Sequence, residues 1–140
     1  MSEHHVFTEL LRKRSLRATS QRVDVLNVIN EYAKAIPSSV LRQALPDFDR
    51  VTLYRTINTL LDKGIIHKAM VDDQETYFAL CSTGCSSYAH VHDHVHFKCN
   101  ECAEVSCVDT DNFPTIGIPG HQIANVKIEV SGLCKSCLAV

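Results

Sequence analysis

The chain has 140 residues, 45% of them hydrophobic and 21% charged, with 5 Gly and 4 Pro; this excludes a disordered or collagen-like polymer and leaves room for one ordinary domain or two small ones. No apolar run approaches the ~18 residues of a membrane span, and the first residues lack the basic-then-apolar pattern of a secretory signal, so a cytoplasmic chain with no membrane partner is expected. The net charge of −2 conceals two unlike halves: residues 1–71 carry 11 Lys and Arg against 7 Asp and Glu, residues 72–140 only 3 against 9.

Residues 3–14 place Val6, Leu10 and Leu11 at near-helical spacing, which predicts a short amphipathic helix with a basic end. From Thr19 to Tyr32 the pattern is stronger, with Val23, Leu26, Val28 and Ile29 on one side and Thr19 or Ser20 available as N-cap. A third helix is expected over Ser38–Leu45, between Pro37 and Pro46. Asp49 caps a fourth over Arg50–Lys63, with Leu53, Ile57, Leu60 and Leu61 inward and Gly64 as its stop. Its other face carries Thr52, Arg55, Thr56 and Thr59. After Gly64 the period changes, and Ile65–Met70, the turn Asp72-Asp73-Gln74 and Thr76–Leu80 read as a β-hairpin.

Helices followed by a hairpin suggest a winged helix–turn–helix whose last helix enters a major groove. Arg55 can fork onto a base edge or phosphate, and Tyr54 can pack on sugar or a thymine methyl. Arg12, Lys13, Arg14, Arg17 and Arg22 supply positive charge for sequence-independent affinity. The periodicity alone fits a small helical domain with a solvated basic face equally well.

The second half is rich in soft metal ligands. All 7 cysteines follow Leu80, an odd count that argues against a secreted disulfide framework. Cys99-x-x-Cys102 and Cys134-x-x-Cys137 stand 31 residues apart. Two such turns complete a tetrahedral four-thiolate site with no open position, a structural metal rather than a catalytic one. Free thiols or redox pairs are the alternative, but the βαβ setting of a thioredoxin pair is missing. In His90-Val91-His92-Asp93-His94-Val95-His96, an extended strand puts the imidazoles on one face, where two neighbours can share a metal. Cys81, Cys85, Cys107 and His67 remain outside the first site. No glutamate adjoins the histidine run as His-x-Glu or His-Glu-x-x-His, which speaks against the alternative of a zinc hydrolase or deaminase and for a chain that is not an enzyme.

Together these residues resemble the ferric uptake regulator family of metal-dependent bacterial repressors. The resemblance spans about Leu10 to Cys137. It rests on Leu16-Arg17-Ala18-Thr19-Ser20-Gln21-Arg22, Val51-Thr52-Leu53-Tyr54-Arg55-Thr56-Ile57, His94-x-His96-x-x-Cys99-x-x-Cys102 and Gly132-Leu133-Cys134-x-x-Cys137. It implies an α+β fold: a winged-helix DNA-binding domain over 1–82 and a small, mostly strand, metal-binding dimerisation domain over 83–140. The long helix of relatives is expected to be lost or reduced between Cys102 and Cys134. Homodimers of this family bind operator DNA when metal-loaded, so Arg17 is expected in the minor groove, with Tyr54 and Arg55, and Thr52 beside them, at the major groove and backbone. Cys99, Cys102, Cys134 and Cys137 would hold the structural zinc.

Within the family, the residues are most similar to zinc uptake regulators. Ala35-Ile36-Pro37 stands where iron and peroxide sensors have a histidine, and Ala79 where iron sensors have a glutamate. The implied sensor ligands are His67, Cys81, His94 and His96, with Cys85, His92 and Cys107 as residues able to join or replace them. Zinc is therefore the expected regulatory metal, iron(II) or a peroxide response the alternative within the family, and a thiol switch through Cys85 and Cys107 a further one.

Overall fold

The computed structural model describes residues 3–32, 34–72, 74–81, 94–109, 115–124 and 126–139. Helix α1 (Glu3–Lys13) buries Phe7 and Leu11, one turn apart, and leaves Val6 55% exposed. Its apolar stripe thus runs one residue away from the Val6-based expectation. The Thr19 hydroxyl accepts the Arg22 N–H at 3.3 Å to start α2 (Ser20–Glu31), which buries Val23, Val25, Leu26 and Ile29. A two-residue strand, β1 (Ile36–Pro37), leads into α3 (Ser38–Ala44).

Helix α4 (Arg50–Asp62) is specified at both ends by local chemistry. The Asp49 carboxylate accepts the Thr52 N–H at 2.7 Å, and that bond holds its carboxyl below the usual carboxylate range. At the other end Gly64 takes φ +70°, while the Gly64 and Ile65 amides donate to Leu61 and Leu60 carbonyls at 3.1 and 3.0 Å. That pair of bonds closes the helix in a Schellman motif, which only a residue at ease in the left-handed region permits. Leu53, Thr56 and Leu60 are buried along α4. Thr56, expected on the outer face, lies inside at 8% exposure because its hydroxyl donates to the Thr52 carbonyl at 2.8 Å, satisfying the polar group within the helix.

The hairpin strands β2 (Ile66–Val71) and β3 (Thr76–Leu80) form a sheet with β1 in the order β1-β3-β2. Both faces of this small sheet are covered. Ile66, Phe78 and Leu80 join the helix core with Leu11, Leu26, Leu41 and Leu60, whereas Ala69, Met70, Tyr77 and Ala79 form a second cluster with Ala35 and Val105. Alternation along each strand divides the two sets, and a β-bulge between Lys68 and Met70 lets Ala69 and Met70 both be buried. His67, next to Ile66, therefore faces away from the helices.

Strands β4 (His94–Cys99), β5 (Val105–Asp109) and β6 (Glu129–Gly132) make a second sheet, order β5-β4-β6, antiparallel on one side and parallel on the other. A short helix, α5 (Lys135–Leu138), comes next. Among the described residues it is the one helix after β3, and the fold is α+β with a mostly strand second half. The expected division between residues 82 and 83 lies outside the described residues. The two sheets meet directly: the Ala35 amide donates to the Val105 carbonyl at 2.9 Å, and Val105 is buried in the cluster between them.

Candidate metal centres and reading face

The four cysteines of the two Cys-x-x-Cys turns come together. Their sulfurs all lie within 4.8 Å of one another. The first turn is shaped by its backbone: the Ala103 amide donates to the Cys99 carbonyl and the Cys99 amide to the Glu104 carbonyl, each at 3.0 Å. The second turn is tied in by the parallel pairing that sets Cys99 beside Gly132, and by the Asn100 amide donating to the Gly132 carbonyl at 2.7 Å. Cys134 comes two residues later, at the start of α5, and its amide approaches the Cys99 sulfur at 3.4 Å.

The thiols of Cys99, Cys102 and Cys137 are shifted unequally by backbone amides and by neighbouring thiols. The Cys99 thiol is pulled down to about 6 by the Cys102 amide first and the Cys134 amide next. The Cys137 thiol is pushed up to about 12, chiefly by Cys134 beside it. The Cys99 sulfur ionises readily, and it opposes ionisation of Cys102 and Cys137. Four sulfurs at this separation fit a zinc ion, which takes all four as thiolates and leaves no open position.

A second cluster spans the two sheets. His67 from β2, His96 from β4 and Cys107 from β5 bring one donor atom each to within 4.8 Å of one another. The Nε2 atoms of His67 and His96 are 3.2 Å apart, and the Cys107 sulfur is 3.7 Å from His67 Nε2. His67 and His96 are only 7% and 4% exposed. Two buried imidazoles and a thiol, with no carboxylate among them, fit a borderline-soft ion such as zinc better than a hard one.

Cys81 lies on the other side of the His67 ring, its sulfur 3.5 Å from Nδ1, so it is beside the cluster without belonging to the three-atom group. Cys85 and His92 lie outside the described residues, as does the side chain of His94. Cys107, which the sequence places only among the secondary candidates, is among the converging donors. Its signal lies in the register: β4 and β5 are antiparallel around the Cys99–Cys102 turn, and His96 pairs directly with Cys107. Cross-strand partners share a face.

The reading-face residues stand apart from both clusters. On α4, Tyr54 is 69% exposed and Arg55 is exposed, with Thr52 half-buried near the helix start. Arg17 is exposed just before α2, where its carbonyl accepts the Arg22 guanidinium at 2.9 Å. A groove of roughly 700 Å³ runs between α3, α4 and the hairpin, with Arg42, Arg50 and Lys68 among its walls.

Helices presenting an exposed aromatic and arginine, a covered hairpin, and two clusters of metal-binding side chains define a winged-helix chain able to hold metal. The family model described as the ferric uptake regulator family matches residues 13–130. The chain belongs to that family, whose members are transcription regulators and not enzymes. The ferric uptake regulation protein of Staphylococcus aureus (strain Mu50 / ATCC 700699) is 28% identical over 135 residues, covering 92% of this chain and 93% of its own. Among solved structures, a zinc uptake regulator complexed with zinc and DNA superposes with a TM-score of 0.64 at 22% identity, covering 99% of this chain and 97% of that one. The Vibrio cholerae ferric uptake regulator gives a TM-score of 0.64 at 22% identity, covering 91% and 99% respectively. At these identities the two structures establish a shared fold.

Proposed function

We propose that this chain is a zinc-sensing repressor that binds operator DNA as a homodimer when its sensor cluster is metal-loaded. The observation that carries the reading is the convergence of His67, His96 and Cys107, because these donors come from opposite sides of the contact between the wing sheet and the second sheet. His67, His96 and Cys107 form the sensor set, and Cys81 and His94 are the residues from which a fourth ligand comes. Cys99, Cys102, Cys134 and Cys137 hold a structural zinc.

A bound zinc supplies coordinate bonds that draw these donors together and so favours the arrangement in which they already converge. The chain itself carries that preference to the DNA. His67 is separated from α4 by only a few residues, Gly64, Ile65 and Ile66 among them, and Ile66 is buried against the same core as Leu53 and Leu60. The orientation of the wing sheet therefore sets that of α4. In a homodimer it sets the separation of two α4 helices, which must match successive major grooves about 34 Å apart. Tyr54, Arg55 and Thr52 then face the groove, and Arg17 reaches the adjoining backbone or minor groove. The zinc uptake regulator solved with zinc and DNA is in line with this reading.

Iron(II) is the second reading, favoured by the name of the Staphylococcus aureus relative. The two are separated by selecting a duplex from a random library with zinc-loaded protein, then measuring its binding against free zinc and free iron(II). Zinc is expected to restore binding to chelated protein at lower free concentration than iron(II). Equal or better restoration by iron(II) overturns the zinc assignment. On the same duplex, Arg55→Ala and Tyr54→Ala are each expected to weaken binding by about 1–3 kcal/mol per half-site contact, with zinc content and dimerisation unchanged. Unaltered affinity in both variants would remove α4 from the reading surface.

A further inference from the structure

Among the described residues, two ion pairs join the wing half to the second half, and they are built differently. Lys34 and Glu104 meet at 3.2 Å with both side chains more than 40% exposed. Lys98 and Asp72 meet at 2.7 Å with each side chain 29% exposed, and the Lys98 ammonium lies 5.5 Å from the centre of the Tyr77 ring. Tyr77 itself is buried in the cluster that joins the sheets.

Asp72 uses both of its oxygens. Oδ2 accepts Lys98, while Oδ1 accepts the Gln74 and Glu75 amides at 2.9 and 2.8 Å, and the Asp72 amide donates to the Glu75 carbonyl at 2.9 Å. One carboxylate thus shapes the wing tip and holds it to β4. Glu75, placed by that turn, accepts the Ser38 hydroxyl at 2.8 Å, the Ser39 amide at 3.1 Å and the Ser39 hydroxyl. Helix α3 begins after Pro37, whose side chain makes no capping bond. Glu75 supplies from the wing the acceptor that the first turn of α3 lacks.

A continuous path therefore runs from β4 through Lys98, Asp72 and Glu75 to the start of α3. It does not pass through His67. His67 lies near the start of β2 and Asp72 just past its end, about 16 Å apart at the rise of a strand. His67 and the Ala35–Val105 bond join the sheets away from the wing tip, and leave the tip itself unanchored. The Lys98–Asp72 pair adds an anchor at that far end.

We propose that Lys98 is a positioning residue for DNA binding: its ion pair with Asp72 fixes the wing tip and helix α3 relative to β4, as a second coupling point beside the metal cluster. The proposal rests on the zinc-responsive reading above, and the same experiment separates the two. Full-length protein at saturating zinc is compared on the selected duplex as wild type, Lys98→Met, Asp72→Asn, the double variant and Lys98→Arg. Zinc content and dimer mass are measured alongside. Two such pairs per dimer, each partly exposed, correspond to a loss of about fivefold in affinity for either single variant. The double variant should be no weaker than Lys98→Met alone, since the two groups act through one bond. Lys98→Arg should recover most of the loss.

Asp72→Asn carries the sharpest contrast. It keeps the Oδ1 acceptor of the turn and removes a negative charge, so simple attraction to DNA would strengthen binding, whereas the latch weakens it. Asp72→Asn protein binding as tightly as wild type or more so, or Lys98→Met protein binding unchanged, overturns the latch. A wild-type protein indifferent to zinc overturns the zinc reading instead, and the same variant series in that metal-independent binding still decides the latch.

Discussion

Replacing His67 by alanine is expected to abolish zinc-stimulated DNA binding while leaving a folded dimer that retains its four-cysteine zinc. The imidazole is the donor that the wing sheet contributes to the converging group, and His96 and Cys107 both belong to the second sheet. Without it, a metal held by His96 and Cys107 reaches the wing sheet at most through Cys81 just past β3, and most of the differential affinity for one orientation is lost. Coupling free energies of this kind correspond to roughly 5–150-fold in affinity, so the zinc response should fall from that range to near unity. A buried side chain is also lost, at a cost of about 1–2 kcal/mol, which thermal melting will register separately. Duplex binding measured with and without zinc checks the prediction. A His67→Ala protein that responds to zinc as wild type does would place the sensor elsewhere.

Cys99→Ser should fail in a different manner. Cys99 is the buried sulfur of the four and the one on which the Cys134 amide converges. Serine lacks the thiolate, and the three sulfurs left behind cannot complete the closed tetrahedron. The binding free energy of a structural zinc is comparable to the whole stability of a small domain. Loss of that zinc should therefore unfold or monomerise the second half, with the C-terminal turn released from β4. Metal analysis together with analytical ultracentrifugation reads both effects. Soluble, dimeric, zinc-bound Cys99→Ser protein would deny the site its structural role.

The contrast between these variants mirrors how legible the two clusters are in the sequence. The four cysteines announce themselves because each Cys-x-x-Cys turn is a local device, and only the meeting of two turns depends on tertiary structure. The helix ends at Thr19, Asp49 and Gly64 are equally local and are found where the chain signals them. The α1 stripe and Thr56 depart from expectation for a common reason. Apolar spacing alone cannot tell which turn of an amphipathic helix meets the core, nor that a threonine satisfies its hydroxyl on its own helix and goes inside. Cys107 is hard to rank because a lone cysteine says nothing until strand register is known. Counting outward from the Cys99–Cys102 turn sets it opposite His96. Glu75 has no sequence signal at all, since its role as a cap is exercised on a helix that begins 37 residues earlier.

The wing tip also bears on pH. Both carboxyls there are held below their ordinary values, Asp72 chiefly by Lys98 and Glu75 chiefly by the Ser39 hydroxyl. Groups with depressed folded-state values contribute their stability above the unfolded value, about 4 for carboxyls, and lose it as pH falls through the folded one. The carboxylates of the wing tip are thus fully engaged throughout the neutral range.

Cobalt(II) loaded into protein whose four-cysteine site already holds zinc tests the central claim most directly, because its absorption reports both coordination number and thiolate ligation. The account predicts an intense four-coordinate spectrum that collapses in His67→Ala, with a sulfur-to-metal charge-transfer band that Cys107→Ser abolishes, or halves where Cys81 supplies the fourth ligand. A weak six-coordinate spectrum, identical in the wild type and both variants, would contradict a sensor built from His67, His96 and Cys107.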